Sequence, residues 1–324
     1  MTAERSFNPQ KRITMFEIKR YTSELSAEWD NFVLNSKNGT FLLMRPYMDY
    51  HSDRFEDYSL LFYRNDRLYA LLPANIKDFT LYSHQGLTYG GLIMSPSCSA
   101  EGVLHLFEEM NAYLRDRGIR RIVYKAIPHI YSTMPAEEDL YALFRCGARI
   151  IARGISTTTD YHRLQRWHKD RHTALNRSRR NALTVRKTHD ISRFWPILSN
   201  NLQQRHNVMP VHSEEEMEML IGRWPDHIGL YEALSAEGET VGGMLAYNTG
   251  RVLHSQYLAA SAEGKKCGAI EAIMERVLQE EGFDYFDFGI STEEGGNILN
   301  EGLIYQKEGF GGRGICYDTY EYHI

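Results

Sequence analysis

Residues 275–289 read ERVLQEEGFDYFDFG, and residues 111–125 read NAYLRDRGIRRIVYK. Each stretch is the end of an apolar-periodic helix, a glycine stop (Gly282, Gly118) and, about one residue later, a strand. The two share little identity, so what repeats is an order of elements. Outward from these joints the order holds. AEGVLHLFEEMNAYLRDRG (100–118) and GAIEAIMERVLQEEG (268–282) are both amphipathic. The first follows strand-like runs at 58–78 and 81–94, with a turn at Asn65-Asp66; the second follows three runs within 227–261. After each joint come a strand, a short helix and a last strand: 119–128, 135–147 and 148–160, then 283–291, 297–311 and 315–323. The pattern predicts a mixed α/β (α+β) fold of two tandem units, 15–160 and 183–324.

Between the units lies RHTALNRSRRNALTVRK (171–187). Residues 161–187 hold nine basic side chains and one acidic one, in a chain whose formal charge is −5. Read as a linker helix over 161–182, the segment puts Arg166, Lys169, Arg177 and Arg180 on one arc. Leu164, Trp167, Ala174, Leu175 and Ala182 fall on the other, with Arg171 out of place among them. Two readings stay open: a solvated helix paired with acidic neighbours, or a cationic wall facing an anionic ligand such as a diphosphate or tRNA.

With 324 residues, 43% hydrophobic and 24% charged, the chain can bury a sizeable core and is long enough for two domains. Its four cysteines are far apart, as expected of reduced thiols in a cytoplasmic protein. No apolar run is long enough for a membrane span, and MTAERSFNPQKRIT (1–14) reads as a polar leader, disordered by expectation. GFGGRG (309–314) has the letters of a dinucleotide loop, but a strand rather than a helix follows it. His168 and His172 are spaced for a helical metal pair, yet a dication would meet the surrounding arginines, so no metal is expected. No P-loop, G-x-S-x-G or H-E-x-x-H is present.

HSQYLAASAEGKKCGAIEAIMERVLQEEG (254–282) reads as strand, Gly/Lys loop and helix. A glycine loop before a helix N-terminus presents free N–H groups to a phosphate, which singles out Gly264, Lys265, Lys266 and Gly268. Asp287 sits on the strand face opposite Phe286 and Phe288, as a base or as a structural acceptor. His254 and Tyr257 are candidate proton carriers. SHQGLTYGGLI (83–93) is a glycine-rich turn with Tyr89, Gly90 and Gly91, and Lys125 is a candidate anion ligand.

The strand–loop–helix resembles the core of the GNAT acyltransferases, whose loop cradles the pyrophosphate of acetyl-CoA; Gly268 is the position that matches the family's loop signature. LNRSRRNALTVRK (175–187), FDYFDFGIS (283–291) and LIYQKEGFGG (303–312), in that order, resemble the FemXAB-like branch, built from two tandem GNAT-like domains. The resemblance covers nearly the whole chain. It implies transfer of an acyl group to the amine of a small, nucleotide-linked or lipid-linked acceptor, in cell-envelope or polysaccharide synthesis. The donor it implies is an acyl-CoA or an aminoacyl-tRNA; a non-catalytic pair that only binds an anionic ligand is a third reading. By family position Lys307 would stabilise developing negative charge beside Asp287 and Tyr257, and Phe310 would stack near the donor. The 83–93 turn, with Lys125, Arg177 and Arg180, would hold the acceptor.

Overall fold

The computed structural model describes residues 15–324; the leader expected at 1–14 lies outside the described residues. Two sheets carry the fold. The smaller one orders Glu17–Arg20, Leu60–Arg64, Arg67–Leu72 and Ile93–Met94. Its central hairpin turns at Asn65 and Asp66, both at positive φ, as the Asn-Asp signal predicts.

The larger sheet has eleven strands and runs through both halves of the chain. From one edge come Thr184–Thr188, Ile228–Leu234, Thr240–Asn248, Val252–Ala260 and Tyr285–Ile290. Then come Arg149–Asp160, Arg313–His323, Arg121–Lys125, Thr80–Tyr82, Asn75–Lys77 and Glu56–Asp57. Two of its pairings are parallel, Thr80–Tyr82 with Arg121–Lys125 and Val252–Ala260 with Tyr285–Ile290. The chain between the strands of each parallel pair contains an amphipathic helix, Ala100–Arg115 or Ala269–Val277, so the repeated order of elements is a repeated strand–helix–strand unit.

The units exchange their last strands. Arg149–Asp160 of the first half pairs with Tyr285–Ile290 of the second; Arg313–His323 of the second pairs with Arg121–Lys125 of the first. The two exchanged strands also pair with each other over nine register positions. The seam between the halves is therefore continuous hydrogen-bonded sheet.

The basic segment is shorter as a helix than expected. Lys169–Arg180 is α-helical, whereas 164–168 has no regular secondary structure and Tyr161–Arg163 is a single 3-10 turn held by the Asp160 side chain. Leu164 and Ala182 consequently fall outside the helix and are exposed, while Ala174 and Leu175 are buried as the periodicity requires. Arg171, out of place in the helical pattern, bonds the nearly buried Glu271 at 2.8 Å. Arg179 pairs with Glu275, so this helix is fastened to Ala269–Val277.

The glycine loop expected at 262–268 is not a loop. Ser261 caps the Gly264 amide at 3.0 Å and starts a helix over Ala262–Cys267, because a Ser N-cap satisfies a free donor of the first turn. Gly268 then breaks the helix at φ +87° before Ala269–Val277 begins. A Cβ at Gly268 would stand 2.3 Å from the Ala174 carbonyl oxygen, so only glycine lets the two helices meet here. Gly268→Ala is expected to lose about 2–4 kcal/mol, from the left-handed backbone and the overlap together. Urea unfolding checks this: the midpoint should fall with the slope unchanged.

Candidate active site

Tyr285–Ile290 ends in a bulge. Asp287 keeps register with Thr158 and His254, but the ladder shifts before Ile290, and Gly289 takes φ +78°. Phe286 and Phe288 enter the core on one face, and Asp287, with no exposed surface, takes the other, as the alternation predicts. The Asp287 carboxylate is built from four other segments of the chain. Its Oδ1 accepts from Ser156 Oγ, from Thr158 Oγ1 at 3.1 Å and from the Gly289 amide at 3.3 Å. Its Oδ2 accepts from Tyr317 OH at 2.6 Å, His254 Nδ1 at 2.9 Å and Tyr131 OH at 3.0 Å.

Burial alone would raise this carboxyl's pKa. The hydrogen bond and charge of His254, with the donors Ser156 and Tyr317, outweigh it and hold the group well below the usual carboxylate range. Asp287 is thus an ionised, acceptor-only group, and the nitrogen of His254 that faces it, Nδ1, carries the proton. Nε2 is left as the basic nitrogen, on a residue that lines the main cavity.

The same bulge organises Lys307. Gly289 and Ile290 turn their carbonyls toward the helix Glu301–Glu308, and Lys307 Nζ donates to both, at 2.8 and 2.9 Å. Burial lowers the ammonium pKa to about 8, and the nearby charge of Asp287 opposes that shift. Asp287 thus orients His254, the carbonyls of the bulge hold Lys307, and both side chains line one space.

That space is a cavity of about 1520 Å³ where Val252–Ala260 and Tyr285–Ile290, paired over only three positions, diverge. Its floor includes Ala152, Gly154 and Tyr317, and its far wall includes Lys169, Arg171 and Arg177 of the basic helix. Six basic residues of the 161–187 segment, Arg163, Arg166, Lys169, Arg177, Arg180 and Lys187, have no ion-pair partner among the described residues.

Other expected site residues fall variously. Tyr257 lines the cavity but hydrogen-bonds His212 Nδ1 at 2.8 Å, with no bond to Asp287. Lys265 lines it and bonds Asn201 Oδ1, whereas Lys266 is exposed and not part of the lining. Gly264 and Gly268 are used in packing, against the Val241 and Ala174 carbonyls, and present no open cradle. Phe310 is buried, stacked on Phe288 at 5.8 Å and edge-on to Trp167, and meets the cavity at its margin. Tyr89, Gly90 and Gly91 are not brought to the cavity. The Tyr89 hydroxyl bonds Thr40, a Cβ at Gly90 would strike the Ser83 carbonyl, and Gly91 sits against Tyr124. Lys125 and Arg177 line the cavity, and Arg180 stays exposed outside it.

Ser156, Thr158, Tyr131 and Tyr317 were not legible as site residues. The run Ser-Thr-Thr-Thr at 156–159 is their one local signal, polar where a strand between two others should be apolar. No group of three His, Cys, Asp or Glu side chains able to hold a metal occurs among the described residues.

Comparison with known proteins bears on the fold. Residues 166–295 match the acetyltransferase (GNAT) domain family. That segment, two fifths of the chain, therefore carries a GNAT acetyltransferase domain. Its architecture is the FemXAB-like tandem GNAT arrangement. The crystal structure of FemX superposes with a TM-score of 0.67 at 11% identity, over 95% of this chain and 97% of that one. A tandem GNAT protein from the clavulanic acid biosynthesis pathway gives 0.51 at 11% identity, over 95% and 98%. The C-terminal domain of a putative lysylphosphatidylglycerol synthetase from Agrobacterium fabrum gives 0.54 at 14%, over 78% and 80%. At such identities the likeness is one of fold. No curated protein matches the sequence.

Proposed function

We propose that the chain transfers an acyl group to an amine acceptor bound in the cavity, with His254 as the general base and Lys307 as the oxyanion cation. The observation that carries this is the His254 Nδ1 bond to the ionised, fully buried Asp287, which leaves Nε2 for the cavity. His254 Nε2 takes the proton that the attacking amine must lose; as the amide bond forms, the donor's acyl–sulfur (or acyl–oxygen) bond breaks and the imidazolium returns that proton to the departing group. Asp287 fixes the tautomer and stabilises the imidazolium that results. The Lys307 ammonium, held by two carbonyls, meets the negative charge that develops on the acyl oxygen. Tyr131 and Tyr317, their pKa values raised by burial and by Asp287, stay neutral donors through the cycle.

The donor we favour is an acyl-CoA, which supplies an activated acyl group and phosphates. Lys169, Arg177 and Lys265 are the lining cations that would hold those phosphates. The unpaired basic residues running outward from the cavity favour a second donor, an aminoacyl-tRNA, whose backbone a side-chain cationic face can follow. In the same reading the chain divides into units at 15–160 and 183–324, joined by 161–182.

A thermal-shift titration with acetyl-CoA, CoA and aminoacylated tRNA tests the donor. A saturable shift with acetyl-CoA that weakens in Arg177→Ala is the expected result. A tRNA shift that collapses with salt, without any CoA shift, would replace acyl-CoA by the second donor; silence from both would overturn each. No helix among the described residues is long and apolar enough to cross a membrane.

A further inference from the structure

We infer that the end of the cavity floor farthest from His254 is an anion subsite, where Lys125, Thr88 and Thr319 hold a carboxylate or phosphate carried by the acceptor. The inference rests on the acyltransfer reading only for the word acceptor; the subsite itself follows from the sheet.

Register places the residues. Thr319 pairs with Lys125 and, on its other side, with Ala152, while Tyr317 pairs with Gly154. Because directly paired residues and those two apart share a face, Lys125, Thr319, Tyr317, Ala152 and Gly154 lie on the Asp287 side of the sheet. All five line the cavity, and Thr88 joins them from the loop above.

Lys125 Nζ donates to the Leu87 carbonyl at 2.8 Å and the Gln85 carbonyl at 3.2 Å, which accounts for two of its three N–H groups. It has no ion-pair partner among the described residues, and burial, which lowers its pKa, acts with no carboxylate opposing it. The Thr88 and Thr319 hydroxyls have no hydrogen-bond partner among the described residues either. Two carboxylates, Glu293 and Glu294, line the same cavity from the segment after Ile290, and neither forms an ion pair with Lys125. A half-buried cation with a donor to spare, beside two free hydroxyls, suits an anion.

Between this corner and His254 the floor carries small residues, Gly154 and Ala152, roofed by the segment after Ile290: a Cβ at Gly154 would stand 3.0 Å from Ile290 Cγ2 and 3.4 Å from Thr292 Oγ1, so only an extended molecule threads from one end to the other. The strands bearing His254 and Lys125 are four steps apart in the sheet, about 19 Å between backbones. Allowing for side-chain reach, one molecule serving both ends spans roughly 10–20 Å from amine to anion, the length of several extended residues. A single α-amino acid is too short.

Isothermal titration with two probe pairs tests the subsite. Tetraglycine against tetraglycinamide asks for a carboxylate; 6-aminohexyl phosphate against 6-aminohexanol asks for a phosphate. Wild type is expected to bind the anionic member of at least one pair about 10–100-fold more tightly. The pair with the larger gap names the source of the anion. Lys125→Met should erase the gap, while Lys125→Arg and Arg177→Ala should keep it. No gap in wild type, a gap that survives Lys125→Met, or one that disappears with Arg177→Ala would each overturn the subsite. Binding is read without donor, so His254→Ala should also keep the gap. A protein with the gap but no acyl transfer to any amine would overturn the role of His254 and leave the anion subsite standing.

Discussion

Replacing His254 with alanine is expected to lower kcat by about 10²–10⁴-fold while the protein stays folded. The expectation separates catalysis from structure because of how Asp287 is held. Five donors other than His254 reach its carboxylate, so removing the imidazole leaves the buried charge still bonded. Asp287→Asn should behave differently. The amide keeps the shape but turns one acceptor oxygen into a donor, facing hydroxyls and an imidazole that already donate. It should lose both activity and stability. The stability loss has a pH signature. Asp287 has a folded pKa below its unfolded value of about 3.9, so its contribution is complete above that value and is lost as pH falls toward the folded pKa. Urea midpoints taken from pH 6 downward should fall more steeply in wild type than in Asp287→Asn. If His254→Ala keeps its rate with amine acceptors, the histidine is a spectator and the base lies elsewhere.

Much of the fold could be read from local signals, and the reason is visible in particular elements. The helix Ala100–Arg115 declares its face by periodicity, and the Asn65-Asp66 turn by its dipeptide. Asp287 and Lys307 stood out because one sits between two core aromatics and the other lies in a family-like segment. The strand exchange at the seam left no trace in the sequence. Arg149–Asp160 and Arg313–His323 read equally well as edge strands of separate sheets, and the pairing that joins them spans about half the chain. For the same reason the partners of Asp287 were hidden: Ser156 and Tyr131 lie 131 and 156 residues away. The 262–268 stretch misled in the opposite sense. Its glycines and lysines suggested a phosphate loop, but Ser261 offered a cap, and Gly264 and Gly268 serve close packing.

Lys307→Met should lower kcat by about 10²–10³-fold, the scale of losing one oxyanion donor. Its pH dependence tells a rate effect from a folding effect. Burial sets the ammonium pKa near 8, so raising the pH past about 8 discharges Lys307 and removes the charge that the transition state uses. Wild-type kcat/KM should therefore turn down above about pH 8, even though more of a free amine acceptor is then deprotonated. Lys307→Arg should move that downturn upward, because a guanidinium stays protonated, with only part of the rate recovered since its planar fork fits two adjacent carbonyls poorly. The stability effect has the opposite sign. With a folded pKa of about 8 and an unfolded one of about 10.4, the unfolded chain binds more protons between those values, so stability rises with pH across that window. Methionine removes that slope. It also removes a buried charge and orphans two carbonyls, opposing effects of about 1–3 kcal/mol each, so Tm should move little. A large fall in rate beside a small change in Tm assigns Lys307 to the chemistry. A fall in Tm that accounts for the lost activity, with kcat per folded molecule intact, would make it a strut for the bulge at Gly289.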